Sequence, residues 1–241
     1  MLLEGYPANL KVLNYMARFS RLQVASKMME TGLVPVFYHA DIDIAKNVLR
    51  ACYEGGVRVF EFTNRGEYAH EVFGELNKFA ARELPELMMG VGSVVDEATS
   101  ALYIQLGANF VVSPVMKPEM ARICNARKIM WVPGCGSLSE IARAEEAGAE
   151  VVKIFPATQV GGPKFVSSIK GPCPWTSIMP TGGVAPTEEN LTAWFEAGVA
   201  CVGMGSKLIT KDILKNNEFD VITEKVKEAL SIISNIRRRQ E

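Results

Sequence analysis

The sequence predicts a single α/β domain, a (β/α)8 TIM barrel with an extra N-terminal helix. Short β-rich runs alternate with helical patterns along nearly the whole chain, and such alternation is typical of a parallel sheet covered by helices. The 241 residues are close to the length of about 250 residues that is usual for this barrel. An open dinucleotide-binding sheet is less consistent with the sequence, because the first β-rich run is not followed by a Gly-x-Gly-x-x-Gly turn.

Eight runs are predicted to be strands, because each combines apolar and β-branched residues and is bounded by turn residues. They begin roughly every 20–30 residues, which is the length of one strand, one helix and two short loops. The predicted strands are Leu33–Tyr38, Val57–Thr63, Leu87–Val91, Phe110–Ser113, Ile129–Val132, Glu150–Phe155, Ser177–Thr181 and Val199–Gly203.

Cap residues and apolar spacing predict helices between these runs. Ser137 and Glu140 have the spacing of a capping box, and Thr187 stands where another helix begins. The extra helix is predicted over Arg18–Glu30, and an amphipathic last helix over Phe219–Ile236. Residues 1–17 are weakly patterned and are predicted to be a leader outside the fold, which leaves 18–241 for the barrel.

The composition excludes several classes of function. The net charge is −1, so nothing indicates a broad field for nucleic acid or a membrane surface. The two histidines, His39 and His70, and the five scattered cysteines form no metal-binding spacing, and we expect no metal. Dispersed cysteines in an odd number suit a reducing cytosol, so we expect a cytoplasmic protein without nucleic-acid or membrane partners.

Two predicted strands carry a charge on the face where a barrel is normally apolar. Glu61 shares a face with Val59 and Thr63 near the end of the second run, and Lys153 shares a face with Phe155 in the sixth. Barrel enzymes place their chemistry at the carboxyl ends of the strands. A buried acid suits proton transfer, and a desolvated neutral amine can attack a ketone. The other interpretations are a structural Glu61 paired with an arginine such as Arg65, and a Lys153 that pairs with Glu61 or turns out to solvent.

Glycine-rich turns follow the last strands. Thr181-Gly182-Gly183 comes after the seventh run, and Gly203–Lys207 comes after the eighth. Barrels often bind phosphate with these two loops, because glycine lets backbone amides approach the anion. The alternative is that these glycines only permit tight turns. We expect an anion site, with Ser206 adding a hydroxyl, and we assign Lys207 to a solvated helix start.

Several of these segments together resemble the 2-keto-3-deoxy-6-phosphogluconate (KDPG) and 4-hydroxy-2-oxoglutarate (KHG) aldolase family. The resemblance covers the chain from about Met28 to about Ile236, and it depends on the order of the motifs more than on any single one. The motifs are Gly55–Arg65 (GGVRVFEFTNR), Gly90–Val94 (GVGSV), Val112–Pro114 (VSP), Val132–Gly134 (VPG), Lys153–Ala157 (KIFPA), Gly161-Gly162, Gly171-Pro172 and Pro180–Gly183 (PTGG).

The resemblance implies a metal-independent Schiff-base aldolase that needs no cofactor, acts on a small 2-oxo acid and assembles as a homotrimer. By position, Lys153 is the imine-forming lysine and Glu61 the general acid/base. The other implied roles are carboxylate binding by Arg65, Ser93 and Thr181, lining of the pyruvyl pocket by Pro114 and Phe155, and phosphate binding by Gly182, Gly183, Gly205 and Ser206.

The chain departs from the family pattern in three places. Ser93 stands where threonine is common, Asn64 stands where leucine is frequent, and the last glycine loop is one residue longer. Two other functions also fit a barrel with late glycine-rich turns. One is a phosphosugar isomerase or synthase, and the other is a non-catalytic barrel that binds a sugar phosphate. Neither requires a lysine at position 153.

Overall fold

A computed structural model describes residues 17–240, and these form a closed parallel barrel surrounded by helices. The strands are β1 Leu33–Phe37, β2 Val59–Thr63, β3 Met88–Gly92, β4 Phe110–Val112, β5 Met130–Val132, β6 Gly134–Cys135, β7 Val152–Ile154, β8 Ile178–Pro180 and β9 Val202–Met204. The helices are α1 Arg21–Thr31, α2 Ile42–Glu54, α3 Ala69–Glu83, α4 Glu97–Gln105, α5 Pro118–Ala126, α6 Leu138–Glu146, α7 Gly162–Lys170, α8 Glu188–Glu196, α9 Lys211–Asn216 and α10 Phe219–Arg238.

The barrel closes through two parallel sheets that share one interrupted strand. The order is β5-β4-β3-β2-β1-β9 in one sheet and β6-β7-β8 in the other. The predicted fifth strand, Ile129–Val132, corresponds to β5, and the unpredicted short strand β6 continues after Pro133, which has no backbone N–H to donate. The Pro133 carbonyl still accepts from the Lys153 N–H at 2.8 Å. A bridge between Thr181 and Gly203 joins the remaining edges, so the predicted (β/α)8 barrel is confirmed.

Side chains pack in two layers, one outside and one inside the barrel. The outer layer lies between the strands and the surrounding helices. The inner layer consists of strand side chains that point inward near the amino ends of the strands, and it also contains Val24, Ala25 and Met28 of α1. Helix α1 therefore closes the amino end of the barrel, and the carboxyl end is left for other groups.

The extra helix is shorter at its start than the sequence predicted. It begins at Arg21 because the Ser20 side chain accepts from the Gln23 N–H, and the Gln23 side chain accepts from the Ser20 N–H. This is a capping box, which fixes a helix start. The predicted leader lies outside the described residues except for Ala17, which is buried. Within residues 17–240, no helix is long and apolar enough to cross a membrane.

Candidate active site

A cavity of about 490 Å³ opens at the carboxyl ends of the strands. It lies at the opposite end of the barrel from α1, where the βα loops meet. Seven of the residues that the sequence singled out line it together. They are Arg65, Phe155, Thr181, Gly182, Gly183, Gly205 and Ser206.

The two charged strand residues meet inside the barrel just below this cavity. The Lys153 Nζ lies 3.6 Å from the Glu61 Oε1. Lys153 is 5% exposed and Glu61 is 1% exposed, and the lysine nitrogen lies 5.3 Å from the centre of the Phe155 ring. Thr63 and Phe155 line the cavity, and each follows its charged residue, Glu61 or Lys153, by two positions in the chain. The ion pair therefore lies deeper in the barrel than the residues that line the cavity.

Both Glu61 carboxylate oxygens and the Thr181 hydroxyl are buried, and none has a hydrogen-bond partner within residues 17–240. Buried polar atoms are normally paired, so exceptions need a reason. Here the hydrogen-bonding capacity of three oxygen atoms, from two side chains, is not used by the described protein atoms. The arrangement suits a polar ligand that enters from the cavity.

Two glycines, each on the strand next to one of these side chains, leave space for Glu61 and Thr181. A Cβ placed at Gly92 would overlap the Glu61 carboxylate, and a Cβ at Gly203 would overlap the Thr181 hydroxyl. Parallel pairing sets Gly92 beside Thr63, and the bridge sets Gly203 beside Thr181. The barrel interior therefore alternates glycine with larger residues at this level. The sequence contains part of this signal, because Gly203 falls on a predicted strand and Gly92 directly follows one.

Arg65 and Ser93 form a polar contact at the rim. The Arg65 Nε donates to the Ser93 Oγ at 3.2 Å. Ser93 has a positive φ of 60°, a conformation that is uncommon for a residue with a side chain. Arg65 lines the cavity, whereas Ser93 reaches it only through this hydrogen bond.

The cavity is lined by cations and by glycine backbone, with no acidic residue among its lining residues. The basic groups are Arg65, Lys207 and Lys211, and neither lysine has a carboxylate within 4.0 Å in the described residues. Gly182 and Gly183 both have positive φ, so substitution of either would strain the backbone. This end of the cavity suits an anion.

The sequence patterns place two residues differently from the structure and do not single out two others. Lys207, expected at a solvated helix start, lines the cavity, and so do Lys211 and Tyr38, which no motif indicates. Pro114 does not line it; its carbonyl packs against Gly134 instead. These placements depend on the conformation of the loops, which strand and helix patterns in the sequence do not predict.

Other candidate chemistries lack support in the structure. No group of His, Cys, Asp or Glu side chains between residues 17 and 240 could hold a metal ion. Burial raises the pKa of the Cys135 thiol to about 12, and Glu140 and Glu145 act in the same direction. The thiolate that a nucleophilic cysteine requires is therefore scarce at neutral pH. The His39 Nδ1 accepts from the Asp41 N–H at 3.0 Å, which is a local loop contact.

Comparison with known proteins identifies the kind of enzyme. The family model described as KDPG and KHG aldolase matches residues 24–225. A 2-dehydro-3-deoxy-phosphogluconate aldolase from Pseudoalteromonas atlantica is 35% identical over 201 residues, covering 83% of this chain and 90% of the relative. The KHG/KDPG aldolase of Escherichia coli K12 is 31% identical over 207 residues, covering 86% and 94%.

A solved structure extends the likeness to three dimensions. The KDPG aldolase from Legionella pneumophila, captured with pyruvate as a covalent carbinolamine intermediate, superposes with a TM-score of 0.78. It is 26% identical, and the match covers 86% of this chain and 98% of that one. The fold, the site and these relatives define an aldolase, a carbon–carbon lyase. More particularly, the chain belongs to the KDPG and KHG aldolase family.

The contact between Gly92 and Glu61 predicts an unequal response to two glycine substitutions. Gly92→Ala forces a methyl group into the Glu61 carboxylate, and we expect the free energy of unfolding to fall by about 1–3 kcal/mol, as for other overpacked cores. Gly74→Ala is the control. Gly74 lies within helix α3, and its added Cβ would meet only Leu106, at 3.6 Å. The substitution should therefore leave the free energy of unfolding unchanged or raise it by up to about 1 kcal/mol. Equal losses in denaturant titrations would contradict this packing.

Proposed function

We propose that the protein is a class I aldolase that cleaves a 2-oxo-3-deoxy acid through a covalent imine on Lys153. The substrates are 2-dehydro-3-deoxy-6-phosphogluconate, which gives pyruvate and glyceraldehyde 3-phosphate, and/or 4-hydroxy-2-oxoglutarate, which gives pyruvate and glyoxylate. The observation that carries the proposal is the buried Lys153–Glu61 pair, 3.6 Å apart beneath a cation-lined cavity. The pyruvate carbinolamine of the Legionella relative supports the same chemistry here.

The first half of the reaction forms the imine. One proton moves from Lys153 to Glu61 and leaves a neutral amine, which adds to the C2 carbonyl of the substrate. Glu61 then returns the proton to the departing hydroxyl. The products of this stage are one water, a protonated imine and the Glu61 carboxylate, so that charge and atoms balance. No metal or other cofactor is required, because the protonated imine is itself the electron sink.

The second half breaks the carbon–carbon bond. The Glu61 carboxylate removes the proton of the C4 hydroxyl, the C3–C4 bond breaks, and its electron pair moves to the imine nitrogen as an enamine. The aldehyde leaves. Glu61 then protonates C3, and water hydrolyses the imine to release pyruvate and free Lys153. One carboxyl group thus serves both proton transfers, which agrees with its position against the lysine.

The carboxylate of the substrate binds beside Arg65 in this scheme. Arg65 supplies a charged donor, and Ser93 and Thr181 supply hydroxyls. A charge-assisted contact at a fixed position holds C2 near the Lys153 amine. Phe155 lines the pyruvyl pocket at the cavity wall. The family resemblance assigns Pro114 to the same pocket, although it is not among the residues that line the cavity.

The distal group of the substrate binds at the outer end. Backbone amides of Gly182, Gly183 and Gly205 and the Ser206 hydroxyl bind a phosphate or a carboxylate there. The exposed Lys207 and Lys211 line the same end and add positive charge. A phosphate dianion gains more from these two cations than a single carboxylate does.

The assembly and location of the enzyme belong to the same proposal. We propose a homotrimer in the cytoplasm. All five cysteines are free thiols, which agrees with a reducing compartment, and the trimer follows from the family resemblance. An isomerase, a phosphate-binding synthase or a passive sugar-phosphate binder would give no reason for a lysine buried against Glu61.

Replacement of the proposed nucleophile tests the function directly. Lys153→Ala should lower the rate of pyruvate release from either substrate by at least about 10³-fold, as loss of a covalent nucleophile does in other enzymes. Pyruvate is followed with lactate dehydrogenase and NADH. Lys78→Ala, at an exposed lysine on α3, should keep the wild-type rate. Near-wild-type turnover by a folded Lys153→Ala variant would refute the mechanism.

The cations Lys207 and Lys211 at the cavity predict that cleavage of the phosphorylated substrate is more sensitive to their loss than cleavage of 4-hydroxy-2-oxoglutarate. The double variant Lys207→Ala, Lys211→Ala should lower kcat/KM for the phosphorylated substrate by about three- to tenfold, because exposed charges contribute up to about 1 kcal/mol each. The value for 4-hydroxy-2-oxoglutarate should fall less, and high salt should reduce the difference. The control Lys78→Ala, Lys227→Ala removes equal charge at exposed positions on α3 and α10 that do not line the cavity. Equal effects of the two double variants would exclude a role for Lys207 and Lys211.

A further inference from the structure

One buried tyrosine makes a contact beside the site that the reaction does not use. Tyr103 of α4 is fully buried, and its hydroxyl donates to the Asn64 Oδ1 at 2.8 Å. Asn64 directly precedes Arg65, an exposed cation that lines the cavity. We propose that Tyr103, acting through Asn64, is a positioning residue that holds Arg65 in place for the substrate carboxylate. This inference rests on the proposed function, since it needs a carboxylate at Arg65.

The Arg65 side chain has little else to fix it. It is exposed, and within the described residues its one side-chain hydrogen bond goes to Ser93. Its position therefore depends on the backbone that carries it. That backbone is anchored on one side, where the Asn64 N–H donates to the Gly92 carbonyl at 2.8 Å. The Asn64 side chain, held by Tyr103, supplies a second anchor at the same residue.

An aromatic cluster links this anchor to the other side of Arg65. The rings of Tyr38, Phe62, Phe73 and Tyr103 form a continuous series, with centroid separations of 5.6, 6.0 and 5.1 Å. Tyr38 lines the cavity, and a Cβ at Gly66 would lie 2.6 Å from its hydroxyl oxygen. The residues before and after Arg65 are thus both in contact with one rigid cluster.

The Tyr103 hydroxyl stays a donor throughout the working pH range. Burial, with Tyr38 nearby as the smaller cause, raises the pKa of Tyr103 to about 12. The group is therefore protonated at neutral pH, and the Asn64 oxygen is its acceptor. A purely packing role would need only the ring, so the hydroxyl is the part of the side chain that separates the two roles.

The test removes the hydroxyl and keeps the ring. For Tyr103→Phe, we expect the Kd for pyruvate in calorimetry and the KM for the oxo acid to rise about three- to tenfold, the range for one lost hydrogen bond. The kcat should stay within about twofold, because Lys153 and Glu61 are not moved. The KM should rise equally for both substrates, because they share the pyruvyl carboxylate.

Two further variants separate positioning from folding. Tyr53→Phe is the matched control, because it removes a tyrosine hydroxyl that donates to Glu86 at 3.3 Å, far from the cavity. It should leave Kd and KM unchanged. Asn64→Ala should raise both constants as Tyr103→Phe does, and the double variant should be no worse than Asn64→Ala alone, because one hydrogen bond is lost in all three.

Each outcome decides a different claim. Suppose that the wild-type protein binds pyruvate and cleaves the oxo acid, and that Tyr103→Phe has the same Kd and KM. This result overturns the positioning role alone. A fall in kcat with unchanged Kd and KM overturns it as well. Wild-type protein that binds pyruvate and cleaves neither oxo acid overturns the proposed function, and the Kd comparison still tests Tyr103. Wild-type protein that does not bind pyruvate overturns both.

Discussion

The buried ion pair between Lys153 and Glu61 is the contact on which the rest of the site depends. Moving each charge out of water costs several kcal/mol even after relaxation. Their attraction at a separation near 4 Å is about 4 kcal/mol at an effective dielectric constant of 20. The cost for the two ions together offsets or exceeds this attraction, so the pair adds little to stability. Its position under the cavity agrees with the proposed mechanism, in which the same two groups exchange the proton that imine formation requires.

The residues that stabilise the barrel and the residues that form the candidate site lie at opposite ends of its axis. At the amino end, α1 inserts Met28 and its neighbours among apolar strand residues and seals the interior. One level higher, glycine on one strand faces a polar side chain on the next, as Gly92 does for Glu61 and Gly203 does for Thr181. At the carboxyl end the loops provide glycine backbone and cations. A reactive lysine can be kept dry in this way, because the apolar layers below it exclude water from that side.

The loops that the proposed mechanism brings to the substrate are themselves held by contacts outside the barrel. Arg65 extends from the turn after β2 and is exposed, yet its neighbours Asn64 and Gly66 contact tyrosines of a packed aromatic cluster. The cation can therefore meet solvent and ligand while its backbone stays fixed. This arrangement reduces the ordering cost of binding, since less freedom is lost when the carboxylate arrives.

Much of the fold is predictable from the sequence because its signals are local. Alternating strands and helices, and caps such as Ser137, depend on nearby residues, and a charge on an inward strand face is enough to single out Glu61 and Lys153. The break at Pro133 follows from one missing N–H, although its effect on the sheet depends on which neighbour it faces. The sequence does not place Lys207 or Lys211 at the cavity, because a loop's path is set by distant contacts.

The clearest test of the central claim is covalent trapping. The protein is incubated with pyruvate and borohydride, digested, and searched for the adduct by mass spectrometry. Reduction of a pyruvate imine on Lys153 should leave a modified peptide that carries this lysine, with the other lysines unmodified and no adduct in Lys153→Ala. If pyruvate is shown to bind and Lys153 carries no adduct, the buried pair is not the reacting centre and the class I mechanism is wrong.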